Sequence, residues 1–381
     1  MRLLNAGAPR PATGDARLAT ANDLVRRTLA QHGLMPGGDG SSPAPTIRSA
    51  ARNTADPMAQ LKSRMPNMDF GDLTSRLSGM TRSGGAMANF GATADPVIPD
   101  GAAFETGSYS NAAGRRDYRL YVPAKADAVT GVVMMLHGCT QTPEDFAAGT
   151  GMNALAEARG FVVIYPRQSR GDNAQSCWNW FQRSDQTRDR GEPAILAGLA
   201  REVAARFGIG AERTFVAGLS AGAAMAVILG ETHGDSFAAV GAHSGLAYGA
   251  ARDVPSAFAA MGGTAADRRV LPRNGIARTI VFHGSADATV HPSNGETIGR
   301  DVLTTAGGQT IQTERRGTTK GRDWRVETTT DANGTTLLEH WTIDGLGHAW
   351  SGGQPTGSYT DAAGPDASAE MIRFFFDDKD I

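Results

Sequence analysis

From residue 118 onward the chain carries short, unbroken apolar runs, each too short for a helix and too apolar to leave one face in water. Val132-Val-Met-Met-Leu136, Phe161-Val-Val-Ile-Tyr165, Thr214-Phe-Val-Ala217, Phe237-Ala-Ala-Val240 and Thr279-Ile-Val-Phe-His283 are of this kind. Such runs are expected of strands covered on both faces, as in a parallel sheet flanked by helices. Stretches of helical periodicity separate them, over about 144–159, 192–207, 221–231 and 293–305, with a late strand at 337–343 and a closing helix at 367–376. Tyr118-Arg-Leu-Tyr-Val122 alternates and reads as an edge strand. Strands alternating with helices predict an α/β domain with a mostly parallel sheet.

The first hundred residues do not share this pattern. Of 25 aromatic residues only Phe70 and Phe90 fall there, and all five tryptophans follow Cys177. A segment so poor in aromatics and so rich in Gly, Pro, Ser and Thr has little with which to build a core. Residues 1–104 are therefore expected to be a largely irregular extension, and 105–381 the folded α/β domain. One short amphipathic helix is predicted around Leu24–Leu29, ending by Gly33.

Composition excludes several classes. Thirty-seven basic residues against 39 acidic ones leave a net charge of −2, which gives no footprint for nucleic acid. Two cysteines rule out a disulfide-rich scaffold and a cysteine-based zinc site, and no metal is expected. No apolar run reaches the ~18 residues of a transmembrane helix. The first twenty residues contain no apolar signal-peptide core, so a cytoplasmic location is expected, with export by another route as the alternative.

The strand at 214–217 runs straight into Gly218-Leu-Ser-Ala-Gly222 and a helix. A serine nucleophile needs this geometry: a sharp turn lifts its hydroxyl clear of the sheet, with glycines where neighbouring chain passes close. Ser220 then requires a base, and the base an orienting acid. Asp287 lies just past a buried strand, in His283-Gly-Ser-Ala-Asp287, where active-site loops of open α/β sheets sit. His348 follows the last strand in a glycine-rich loop, Gly345-Leu-Gly-His-Ala-Trp-Ser-Gly-Gly353. Ser220, Asp287 and His348 are the expected triad, with His291 the rival base. The oxyanion donors are expected to be the backbone N–H groups of Ala221 and of Cys139, in Leu136-His-Gly-Cys-Thr-Gln141. His137 is expected to be a structural loop histidine. Cys139 and Cys177 both fall in active-site loops. A bridge between them would tie the oxyanion loop to Ser176-Cys-Trp-Asn-Trp-Phe181, and two free thiols are the alternative. Trp178, Trp180 and Trp350 are candidates to line a substrate cleft, with core packing as the other reading.

The motifs at 136–146, 177–181, 218–222, 282–287 and 347–353, taken together, resemble the polyhydroxybutyrate depolymerase-type esterase family, relatives of feruloyl and acetylxylan esterases. The resemblance covers roughly residues 105–378. It implies an α/β-hydrolase fold and a serine carboxylic ester hydrolase that needs no cofactor. Its substrate would be a hydroxybutyrate polyester or its oligomers, with feruloyl or acetylxylan esters as the alternative. Many members are secreted, which sets an extracellular location against the cytoplasmic expectation. A separate C-terminal binding domain is not expected after the closing helix, so soluble oligoesters and small esters are expected as much as crystalline polymer. A reading from another class is a granule-binding protein that uses the N-terminal arm to contact a polymer-granule surface.

Overall fold

A computed structural model of the protein describes residues 96–125, 129–264 and 277–376. The chain divides into two units, Met1–Met87 and Ala88–Ile381. The expected helix near Leu24–Leu29 and most of the expected extension lie outside the described residues.

The first strands described in the second unit are an antiparallel pair, β1 (Ala103–Asn111) and β2 (Gly114–Val122). The central strands are β3 (Val132–Leu136), β4 (Val162–Pro166), β5 (Thr214–Leu219), β6 (Ala239–His243) and β7 (Arg278–Gly284). The late strands are β8 (Thr310–Thr319), β9 (Arg322–Asp331) and β10 (Thr336–Ile343). All ten form one sheet in the order β1-β2-β4-β3-β5-β6-β7-β10-β9-β8. The six strands from β4 to β10 run parallel, and the antiparallel pairs β1-β2 and β9-β8 extend the two sides. Every residue of β3, β4, β5 and β6 is buried, as the unbroken apolar runs require.

Alternate side chains of these strands feed two cores. Val132, Met134, Ile164 and Val216 pack with helices α3 (Gly191–Arg206) and α4 (Ala221–Thr232). Val133, Met135, Tyr165 and Phe215 pack with α1 (Pro143–Thr150), α2 (Met152–Arg159) and α7 (Ala367–Phe376), whose Phe375 stacks flat on Phe215 at 5.0 Å. Helices α5 (Val254–Met261) and α6 (Ser293–Ala306) complete the first layer. This is a three-layer α/β sandwich, and its catalytic candidates all follow parallel strands.

Two local expectations change, and one element was not anticipated. The 118–122 strand is not an edge, because β1 covers it; β1 itself (AFETGSYSN) carries too few apolar residues to read as a strand. The helix expected over 144–159 breaks in two at Gly151, whose φ of +64° caps α1 with its N–H bonded to Ala147 O. Strands β8 and β9 form an extra hairpin. Most of β8 is exposed on both faces, so no apolar period marks it.

Candidate active site

Ser220 sits between β5 and α4 with φ +58° and ψ −119°, a conformation that costs a non-glycine residue about 1–3 kcal/mol. The surrounding backbone holds it there. Its N–H donates to His243 O at 2.9 Å, and its carbonyl accepts from Ala224 N at 3.0 Å. The flanking glycines are required by close approach. A Cβ on Gly222 would lie 2.0 Å from Leu136 O and 2.6 Å from His137 O; one on Gly218 would lie 2.4 Å from Gly222 C. The serine turn therefore packs directly on the 136–137 backbone that enters the proposed oxyanion loop.

Asp287 follows β7 and is 3 % exposed. Its Oδ1 accepts from the N–H groups of Thr289 and Val290, both at 2.9 Å, which fixes the carboxylate's rotation. Its Oδ2 lies 2.7 Å from His348 Nδ1. Burial alone would raise the Asp287 pKa. The hydrogen bond and charge of His348, the Val290 amide and His283 outweigh it and hold the carboxyl below its usual value. An acceptor at Nδ1 fixes the tautomer of a neutral His348 and leaves Nε2 as the basic nitrogen.

His348 is carried by the turn after β10, and β10 lies beside β7. Ala286 N donates to Leu346 O at 3.1 Å, and Ser285 Oγ links Asp344 Oδ1 and Gly345 N, both at 2.9 Å. A Cβ on Gly284 would meet Leu346 O at 2.1 Å, so the acid and histidine loops also touch backbone to backbone. Ser220, Asp287 and His348 thus follow β5, β7 and β10, at one edge of neighbouring parallel strands. Asp287 and His348 are in contact. Ser220 Oγ and His348 Nε2 are not hydrogen-bonded in this structure, a contact that commonly tightens only when substrate binds. The rival base His291 is exposed and turned to Ser293 Oγ at 2.9 Å.

The amides around Cys139 are nearly all committed. Gly138 N donates to Gln141 Oε1 at 2.9 Å, Thr140 N to Gln175 O at 2.8 Å and Gln141 N to Gly138 O at 3.3 Å. Among the described residues the Cys139 N–H has no such acceptor. The Ala221 N–H is the first amide of α4, a position with no intrahelical partner. Both are therefore free to receive an oxyanion. Cys139 and Cys177 are joined by a disulfide, with their Cα atoms 4.3 Å apart. His137 is buried and neutral. Its Nε2 accepts from Gln168 N at 3.1 Å, so Nδ1 carries the proton and donates to Gly138 O at 2.8 Å. Desolvation lowers its pKa to about 4.

The tryptophans correct an expectation. Trp178, Trp180 and Trp350 are 0, 5 and 1 % exposed, so none lines an open cleft. Trp178 lies under the 137–141 loop and donates from Nε1 to His137 O at 3.0 Å. Trp350 stacks on His243 and donates to Ser368 Oγ at 3.1 Å, while Trp180 packs edge-on against Phe181. Trp178 and Trp350 can be buried because each indole N–H finds an acceptor, in His137 O and Ser368 Oγ.

Two buried histidines that hold these loops were not singled out in the sequence. His243 Nε2 accepts from Ser351 N at 3.0 Å, pinning the chain just after His348. His283 Nε2 donates to Val290 O at 2.8 Å and lies 3.6 Å from Asp287 Oδ2, bracing the turn that orients the acid. A histidine at the last residues of a strand that ends in a catalytic loop is the only signal that could have found them.

Residues 116–323 match the family model described as esterase PHB depolymerase. The chain is 35 % identical over 240 residues to poly(3-hydroxyalkanoate) depolymerase C of Paucimonas lemoignei, covering 60 % of this chain and 57 % of that protein. It is 29 % identical over 206 residues to acetylxylan esterase A of Talaromyces purpureogenus, covering 50 % of this chain and 53 % of that one. The chain thus spans little more than half the length of these curated relatives. Among solved structures, an acetyl xylan esterase from Aspergillus awamori shares the fold, with a TM-score of 0.50 at 21 % identity over 68 % of this chain and 93 % of that one. Among the described residues no helix is long and apolar enough to cross a membrane.

Proposed function

The chain belongs to the PHB depolymerase esterase family, and from that premise we propose that it is a serine carboxylic ester hydrolase acting on hydroxyalkanoate oligoesters or polyesters. The observation that carries this reading is a serine on a strained strand–helix turn together with a closed Asp287–His348 pair, at the same edge of the parallel strands. In the reaction Ser220 Oγ attacks the ester carbonyl as His348 Nε2 takes its proton. Asp287 holds the imidazole's orientation and stabilises the imidazolium. The N–H groups of Ala221 and Cys139 receive the negative charge of the tetrahedral intermediate. The alcohol leaves with the proton from His348, and a water molecule, activated in the same way, releases the acid. None of these steps calls for a cofactor.

A second reading keeps the chemistry and changes the substrate to acetyl groups on xylan. The identity to an acetylxylan esterase favours it, whereas a feruloyl substrate has no comparable support. Granule binding through the N-terminal arm concerns residues outside the described ones. The Cys139–Cys177 bridge supports an oxidising compartment over the cytoplasm, where such bonds are rare.

The test is turnover on matched substrates: hydroxybutyrate trimer, amorphous polyhydroxybutyrate, acetylated xylan and methyl ferulate. Hydroxybutyrate monomer or dimer is expected as the main product, with kcat/KM for the oligoester at least tenfold above the other two soluble esters. Faster release of acetate from xylan would move the assignment to the second reading. No hydrolysis of any of the four would overturn the ester-hydrolase reading.

A further inference from the structure

One buried carboxylate takes no part in the chemistry above. Glu192, in the first turn of α3, is 5 % exposed. Four donors converge on it: Asn179 N at 2.8 Å, Asn179 Nδ2 at 3.0 Å, Gln168 Nε2 at 2.5 Å and Arg116 Nη2 at 3.4 Å. A site made only of donors suits an ionised carboxylate, which is acceptor-only. Burial nevertheless pushes the Glu192 pKa up to about 7, against the pull of Arg116 and the Asn179 amide. Keeping an acid in such a place is costly, so its partners bear on its purpose.

Those partners belong to the segment that grips the oxyanion loop. Gln168 also donates to Cys177 O at 2.9 Å, and its own N–H donates to His137 Nε2. Asn173 ties the segment to itself: its Nδ2 donates to Asn179 Oδ1 at 3.0 Å, and its Oδ1 accepts from Gln175 N at 3.0 Å. From this braced segment three links reach residues 137–140, two of them to backbone atoms. Gln175 O accepts from Thr140 N, Trp178 Nε1 donates to His137 O, and Cys177 is bonded to Cys139. Thr140 itself has φ +68°, an unfavourable state for a β-branched residue, so the loop must be held from outside.

We infer that Glu192, supported by Arg116 and Gln168, is a positioning residue for the oxyanion donor: it fixes the 168–179 segment, and that segment aims the Cys139 N–H. The inference rests on the ester-hydrolase reading for its kinetic consequence. An oxyanion contact is made in the transition state and not with the ground-state ester, so loosening it lowers kcat and leaves KM in place.

The test uses the full chain carrying Glu192→Gln, which keeps the shape, removes the charge and turns one of the two acceptor oxygens into a donor among donors. Sites are counted by titration with diethyl p-nitrophenyl phosphate, and p-nitrophenyl butyrate is the substrate. The expected result is a kcat per titrated site lower by about ten- to a hundredfold, less than the ~10²–10³ for outright loss of an oxyanion donor. KM should stay within about twofold of the wild type, by the same transition-state argument. Amide hydrogen exchange over 137–141 should quicken while β5 is unchanged. Glu192→Asp should recover part of the loss. If Glu192→Gln does not fold, Gln168→Ala should shift kcat and exchange in the same sense. An unchanged kcat per site, or a raised KM with kcat intact, would overturn the inference. If the wild type hydrolyses no ester, the reading above fails instead. The exchange experiment then decides this inference alone, and unaltered exchange at 137–141 would refute it.

Discussion

Ser220→Ala is expected to lower kcat for a p-nitrophenyl ester by about 10⁴–10⁶-fold, the scale on which removal of a triad nucleophile acts. The loss should come without loss of fold. Ser220 Oγ makes no hydrogen bond in this structure, and the strained backbone depends on the Ser220 N–H to His243 O bond and on the flanking glycines, all of which alanine retains. The thermal midpoint should therefore move by no more than a few degrees. Steady-state kinetics and a melting curve on the same preparation check both halves. Turnover within tenfold of wild type in a folded variant would place the nucleophile elsewhere.

The second large effect is acid destabilisation. Desolvation lowers the pKa of His137 and His340 to about 4 and of His243 to about 3, and it lowers that of His283 as well. Each of these groups binds a proton in the unfolded chain near pH 6.5 but not in the native one. Protonation therefore favours unfolding, and stability is lost as pH falls from 6.5 towards 4. At pH 5 the cost is about 2 kcal/mol for each of the first three, together comparable to the ~5–15 kcal/mol that holds a domain folded. Glu192 works in the opposite sense, because its raised pKa makes the native state bind a proton between its unfolded value near 4.5 and about 7. One such group offsets one histidine, so the net effect remains a loss. Urea unfolding followed by tryptophan fluorescence should show the midpoint falling sharply from pH 7.5 to pH 5. Equal midpoints at the two pH values would mean that these histidines are not buried and neutral.

The parts legible in the sequence were those that leave little freedom. A strand covered on both faces must be apolar throughout, so β3, β4, β5 and β7 could be placed to within a residue or two. A serine lifted off a sheet edge needs glycine at 218 and 222, because the 136–137 backbone passes within van der Waals contact. The candidate acid and base were picked by their place after strands, and the structure brings Asp287 and His348 into contact. What was not legible depends on partners distant in sequence. β8 is an exposed hairpin strand whose polar residues satisfy no period. Trp178 and Trp350 could equally have faced a cleft or a core, and only the packing of His137 over one and His243 over the other decides it. Glu192 reads as an ordinary acidic residue in a first helical turn. Its meaning comes from Arg116, Gln168 and Asn179, which lie 76, 24 and 13 positions away.

The central claim is that Ser220 is an activated nucleophile served by His348 and Asp287. It is tested most directly by treating the full chain with an alkyl fluorophosphonate and mapping the adduct by peptide mass spectrometry. The account predicts one phosphonyl group per chain, on Ser220, formed in step with loss of esterase turnover and slowed at least a hundredfold by His348→Ala. Phosphonylation at another serine that tracks the loss of activity, or full turnover in a chain labelled at Ser220, would contradict it.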